Sequence, residues 1–235
     1  MASRTGGIGR PPRMALWAGV FFALDLGFWH YGIHYTSVTN ATVLSNLTPV
    51  VVTAFSWIFL KQRPRALFLA AVAAAVGGAW LMAVEKGGGG LKNQPLGDVL
   101  SVCTALWYSL YFLTMAEGRK TQTTSRLMFW VGLAGAPLLL LVALALHEPV
   151  FASSALGWGA LAGLGLMHVT GQGSIAWAMG RLPTSTASVV VLIQPIVAAW
   201  LGWILFAEPI GPLQALGAAV TLGGVILAQI SSRRG

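Results

Sequence analysis

Ionisable side chains are scarce in this chain, and the most informative one stands in a run of apolar residues. Asp25 lies near the centre of the stretch 14–33. A charged group at mid-bilayer depth costs about 2.5–3.5 kcal/mol on insertion scales, so such an acid faces protein or a water-filled cavity rather than lipid. An acid held there can take up and release a proton, and its position predicts a role in coupling proton movement to substrate movement. Trp29 follows one turn later on the same helix face and is expected to line the same pocket. His168 is central in a second apolar run, 155–178, with Gln172 one turn further on. Asn46 and Gln194 are central in two more runs, beside Pro49 and Pro195. Trp107 and Tyr111 share a face of a run spanning 97–116, at a depth where interfacial aromatics are not expected.

Asp25, Trp29, Asn46, Trp107, Tyr111, His168, Gln172 and Gln194 are therefore the candidate lining of a substrate pocket. Each has a plainer alternative. The acid, the histidine and Gln172 can form interhelical hydrogen bonds. Asn46 and Gln194 can cap backbone carbonyls that the prolines leave free. The aromatic rings can simply pack. Pro49 and Pro195 each remove a backbone donor and clash with the preceding turn, which predicts bends that double as hinges. His30 and His34 have the spacing of two metal ligands on one helix face. No third ligand is evident nearby, so they are read as polar residues of the membrane interface, and neither a metal nor a cofactor is expected.

The elements that must position these groups follow from composition. Of 235 residues, 56% are apolar and only 9% charged, and the mean hydropathy is +0.75. A soluble domain carries roughly 25% charge, so a soluble globule is excluded and a bilayer is the expected solvent. Eight apolar segments, 14–33, 37–60, 65–84, 97–116, 126–146, 155–178, 184–206 and 212–230, predict eight transmembrane helices. No ten-residue alternating segments point to a barrel. The single cysteine, Cys103, excludes a disulfide framework. With the N-terminus in the cytoplasm, twelve of the fourteen basic residues fall on the inner side and only Lys86 and Lys92 outside. This predicts a multi-pass protein of the cell (inner) membrane with both termini cytoplasmic. The net charge of +8 is then a headgroup-facing charge, and no nucleic-acid partner is expected.

Shifting the sequence by 146 residues superimposes Pro49 on Pro195, Trp57-Ile58 on Trp203-Ile204 and Gly77-Gly78 on Gly223-Gly224, without a gap. The first three segments therefore recur as the last three. The partners lie five helices apart, an odd number, so the two copies run in opposite directions across the membrane. That is an inverted-topology repeat, an arrangement found in secondary transporters. The fold class expected is an all-α integral membrane protein, with eight helices read as 3 + 5 of an inverted five-helix repeat. Counterparts of two helices would have to lie upstream of Met1, so a shortened form of a ten-helix protein is expected, with an authentic eight-helix protein as the alternative.

The segments Tyr35-Thr36-Ser37-Val38-Thr39-Asn40-Ala41 with Leu47-Thr48-Pro49, and Leu182-Pro183-Thr184-Ser185 with Gln194-Pro195 and Glu208-Pro209, resemble the EamA branch of the drug/metabolite transporter superfamily. The resemblance implies a ten-helix fold with a substrate path between its halves. It divides the chain into a partial first repeat (1–86), a Gly-rich connection (87–94) and a second repeat (95–235). That family often carries a glutamate after the proline-bearing helix in both halves; here Glu208 fits and the matching position is Gln62. Secondary transport, as export of a small organic metabolite or drug by alternating access, is the expected function. No G-x-x-x-x-G-K-[ST] loop provides for ATP hydrolysis. A membrane-embedded enzyme and an inactive truncated transporter are the alternatives. Gly159 and Gly163, with the Ala/Gly-rich segments 65–84 and 212–230, predict close-packing faces within one chain or between two copies of a homodimer.

Overall fold

A computed structural model describes residues 9–36, 41, 44–59, 61, 63–84, 94–207 and 209–233. Among these the protein is all-helical, with no β-sheet. The helices are α1 (Arg13–Tyr35), α2 (Thr48–Ile58), α3 (Ala66–Val84), α4 (Gln94–Arg119), α5 (Thr124–Ala145), α6 (Ala155–Met179), α7 (Thr184–Val190), α8 (Gln194–Phe206) and α9 (Pro212–Arg233), with a 3-10 turn, Val191–Ile193, between α7 and α8. Four helical runs are long and apolar enough to cross a membrane: Pro95–Arg119, Thr124–Ala145, Thr184–Leu205 and Pro212–Ser231. The chain is thus a multi-pass membrane protein. α1 and α6 are as long, but their polar residues, among them Asp25 and His168, dilute their apolar character. The connection 87–90, Lys86, Lys92, Gln62 and Glu208 lie outside the described residues.

Both proline-bearing segments break at the proline. Pro49 occupies the second position of α2, and Pro195 the second position of α8. A proline cannot donate to the carbonyl four residues back, which orphans Ser45 O and Val191 O. The Thr48 hydroxyl donates to Ser45 O at 2.9 Å, and the Gln194 backbone N–H donates to Val191 O, closing the 3-10 turn. The two orphaned carbonyls are 146 residues apart, and so are their donors. The side chains of Asn46 and Gln194 are not spent on this capping. Beyond each proline-bearing helix the chain leaves through a left-handed residue, Lys61 (φ 57°) and Ala207 (φ 52°), again at equivalent positions.

The chain forms two compact units: Met1–Gly27 with Leu110–Leu182, and Phe28–Ser109 with Pro183–Gly235. In the second unit α3 and α9 lie against each other along their lengths. A Cβ added at Gly78 would meet Thr221 N at 2.5 Å and Gly217 O at 2.6 Å. A Cβ at Gly224 would meet Ala75 N at 2.5 Å and Ala71 O at 2.8 Å. As the number rises on one helix it falls on the other, so the pair is antiparallel. The contacts also exchange under the 146-residue shift, since Gly78, Ala71 and Ala75 correspond to Gly224, Gly217 and Thr221. At the crossing the Thr221 hydroxyl donates to Gly217 O at 2.8 Å and reaches Ala75 O, on its own equivalent residue, at 3.4 Å. Phe68, Val72 and Ala79 join Val189, Leu192, Val225 and Ala228 in the core beside this seam.

In the first unit the N-terminal half of α1 packs on α5 through another glycine. A Cβ at Gly19 would sit 2.7 Å from both Val131 O and the Ala134 Cβ. The glycines of α6 behave differently. Gly159 and Gly163 have nothing within 4 Å of where a Cβ would stand.

Candidate functional site

The buried stripe of α1 starts as packing and ends as chemistry. Ala15, Ala18, Phe22 and Asp25 recur at helical spacing, and all are buried, Asp25 at 8% exposed. Within the first unit the Phe22 ring stands 4.9 Å from that of Tyr111 and 5.1 Å from that of His168, centroid to centroid. Tyr111 is fully buried, and its hydroxyl donates to Gln172 Oε1 at 3.4 Å. Phe22 thus links three helices: α1 bearing Asp25, α4 bearing Tyr111, and α6 bearing His168 and Gln172, both half-buried. Four sequence candidates fall in this unit, and the fifth member, Phe22, was not singled out because an apolar ring in an apolar run carries no signal.

The remaining candidates lie in the second unit. Trp107 is half-buried, its ring centroid 6.0 Å from that of Phe28. Asn46 is half-buried, and its Nδ2 is enclosed with no hydrogen-bond partner among the described residues. Thr186 Oγ1 is enclosed in the same way. Ser109, fully buried, donates to Thr48 O at the start of α2. Trp29 is 44% exposed and Gln194 is exposed; Pro49 is fully buried. Among the described residues no three His, Cys, Asp or Glu side chains converge on one metal position.

Arg119 is the functional-looking residue that a reading by loops misassigns. The basic loops are expected to face headgroups, but Arg119 is only 2% exposed. Its Nε donates to Ala176 O at 3.0 Å, and its guanidinium also binds Gln122 O. Ala176 O lacks its usual helical partner because the Gly180 N–H turns to Trp177 O instead. A cation at the carbonyl end of a helix also meets the negative end of the helix dipole. Arg181 does the same from outside, donating to Trp177 O at 3.1 Å with its guanidinium carbon 3.6 Å from the Trp177 ring centre. The C-terminus of α6, just beyond Gln172, is therefore fixed by two arginines.

Comparison with known proteins agrees with this architecture. The model of the EamA-like transporter family matches residues 8–84 and 95–229. An uncharacterized transporter of Archaeoglobus fulgidus is 26% identical over 225 residues, covering 94% of this chain and 78% of its own length. The pseudopaline exporter CntI of Pseudomonas aeruginosa is 24% identical over 196 residues, covering 83% of this chain and 67% of its own. A crystal structure superposes with a TM-score of 0.81 at 19% identity, covering 98% of this chain and 80% of that one, and so shares the fold. The names of these relatives point to transport rather than to enzymatic chemistry. With its match running through both halves, the chain belongs to the EamA-like transporter family.

Proposed function

We propose that the protein is a secondary transporter that exports a small organic metabolite or drug across the cytoplasmic membrane. Its termini face the cytoplasm, and it works by alternating access between oppositely oriented repeats read as 3 + 5 helices. The reciprocal α3–α9 contacts support the inverted repeat, as do the paired proline breaks and paired left-handed exits. Export is the direction named for the Pseudomonas relative.

The observation that carries the reading is Asp25, a buried carboxyl on the stripe that also presents Phe22 to Tyr111 and His168. The carboxyl takes and gives a proton. The tyrosine hydroxyl, Gln172 amide and imidazole give directional hydrogen bonds, and the rings supply apolar surface. Asn46 and Trp107 are the corresponding candidates in the second unit.

The test is paired flux measurement in proteoliposomes, on a panel of labelled amino acids, nucleotide sugars and organic cations. Asp25→Asn keeps the shape and removes the titration. It should abolish accumulation driven by a proton gradient and spare substrate exchange. If Asp25→Asn still concentrates substrate on a proton gradient, Asp25 is structural and the coupling role is wrong.

A further inference from the structure

We propose that His30 and His34 form a two-histidine binding site for a divalent transition-metal ion at the C-terminal end of α1. The site is separate from the Asp25 cluster and does not depend on its role. Both imidazoles are exposed, one helical turn apart, with ring centroids 5.0 Å apart and planes at 77°. A zinc–imidazole bond of about 2.0–2.1 Å puts each ring centre about 3.2 Å from the ion, so two rings at a tetrahedral angle have centres about 5 Å apart. The observed centroid separation meets that value, and turning the exposed rings about their side-chain bonds aims a nitrogen of each at one ion. Tyr31 supports the pair, its ring edge-on to His30 at 5.3 Å.

The backbone beneath the pair is clamped. A Cβ at Gly32 would lie 2.9 Å from Ser101 Oγ, and Gly97 abuts the Thr36 backbone, so the last turn of α1 is seated on the first turns of α4. Thr36 Oγ1 donates to Asp98 Oδ1 at 2.7 Å, closing the same junction. The electrostatics favour a cation. The final carbonyls of α1 carry the negative end of its dipole. The Asp98 carboxylate is bonded two residues beyond His34, and no Lys or Arg occurs in the sequence between Arg13 and Lys61. Imidazole donors select zinc, nickel and copper over magnesium and calcium. Two protein ligands leave the remaining coordination positions to water.

Sequence reasoning sets the pair aside for want of a third ligand. Two imidazoles held at the right separation on a fixed helix end are sufficient for a site of this open kind.

The experiment uses the untagged 235-residue chain in lipid nanodiscs, titrated with Cu²⁺ by electron paramagnetic resonance and with Zn²⁺ by calorimetry. One ion per chain is expected, with hyperfine splitting from two nitrogens on copper. His30→Gln and His34→Gln should each weaken binding by about tenfold or more and reduce the splitting to one nitrogen. His147→Gln should leave both unchanged, and the thermal transition should be kept in all three. Wild-type affinity in either α1 variant overturns the proposal. So does an absence of saturable binding up to about 1 mM.

Discussion

Adjacent glycines in the α3–α9 seam should respond to the same substitution with opposite sign. A Cβ at Gly78 would lie 2.5 Å from Thr221 N and 2.6 Å from Gly217 O, whereas a Cβ at Gly77 has nothing within 4 Å. The atoms met at Gly78 include backbone, which cannot rotate away as a flexible side chain would, so α3 and α9 must part by about 1 Å. Overpacking of this kind costs about 1–3 kcal/mol. Alanine recovers about 1 kcal/mol of helix propensity over glycine, which at Gly77 is the whole effect. Gly77→Ala should therefore raise stability by up to about 1 kcal/mol, and Gly78→Ala should lower it by up to about 2 kcal/mol. The propensity gain is common to both, so the two differ by the overpacking cost of about 1–3 kcal/mol, and at about 2–4 °C per kcal/mol for a chain of this size their transitions should differ by roughly 2–12 °C. Gly223→Ala and Gly224→Ala repeat the experiment on the other helix, since Gly223 is open and a Cβ at Gly224 would lie 2.5 Å from Ala75 N. Combining Gly78→Ala with Gly224→Ala should cost less than the sum, because the first Cβ already parts the helices the second must part. Thermal unfolding in detergent, followed by monodispersity on size exclusion, reads all five variants. Equal shifts for Gly77→Ala and Gly78→Ala would refute the seam.

Three further perturbations test other contacts. Arg119→Met should remove the guanidinium donors to Ala176 O and Gln122 O and lower stability by about 1–3 kcal/mol for each carbonyl left unsatisfied, read by the same thermal assay. Ala207→Gly and Lys61→Gly should each stabilise by up to about 1 kcal/mol, because glycine adopts the left-handed exit without strain. Tyr111→Phe keeps the ring against Phe22 and removes the bond to Gln172; it should cost about 1 kcal/mol of stability and raise KM for transport more than it lowers kcat.

Helix positions were legible because apolar runs and proline or charged breaks mark them directly: the stretch 126–146 became α5, and 155–178 became α6. The breaks at Pro49 and Pro195 were legible for the same reason, since a missing donor is a property of one residue. Which group answers the orphaned carbonyl was not. Thr48 uses its side chain and Gln194 its backbone, a choice made by local geometry. The glycine pairs were visible as a repeat, but the division of labour within each pair depends on which way the helix is turned. Arg119 was misread because a basic residue in a short loop is usually solvated, and nothing in its neighbours announces that it folds back onto α6. Of the candidate site, Asp25, Tyr111, His168 and Gln172 could be named from depth and polarity. Their grouping around Phe22 could not, because an aromatic ring in an apolar helix looks the same whether it faces a site or a lipid.

Thr221 and Ala75, equivalent under the 146-residue shift, nearly meet and carry different side chains. In a pair of identical subunits, whatever occupies this position faces a copy of itself, and two threonines would bring two branched side chains to the same close crossing. Joining the halves in one polypeptide lifts that constraint. One copy can keep a hydroxyl that reaches across, while the other shrinks to a methyl group that lets it in. At the crossing the small Ala75 leaves room for the larger Thr221, an asymmetry that exact symmetry would forbid. A single chain can therefore tune such a seam by one substitution that a homodimer would have to accept twice.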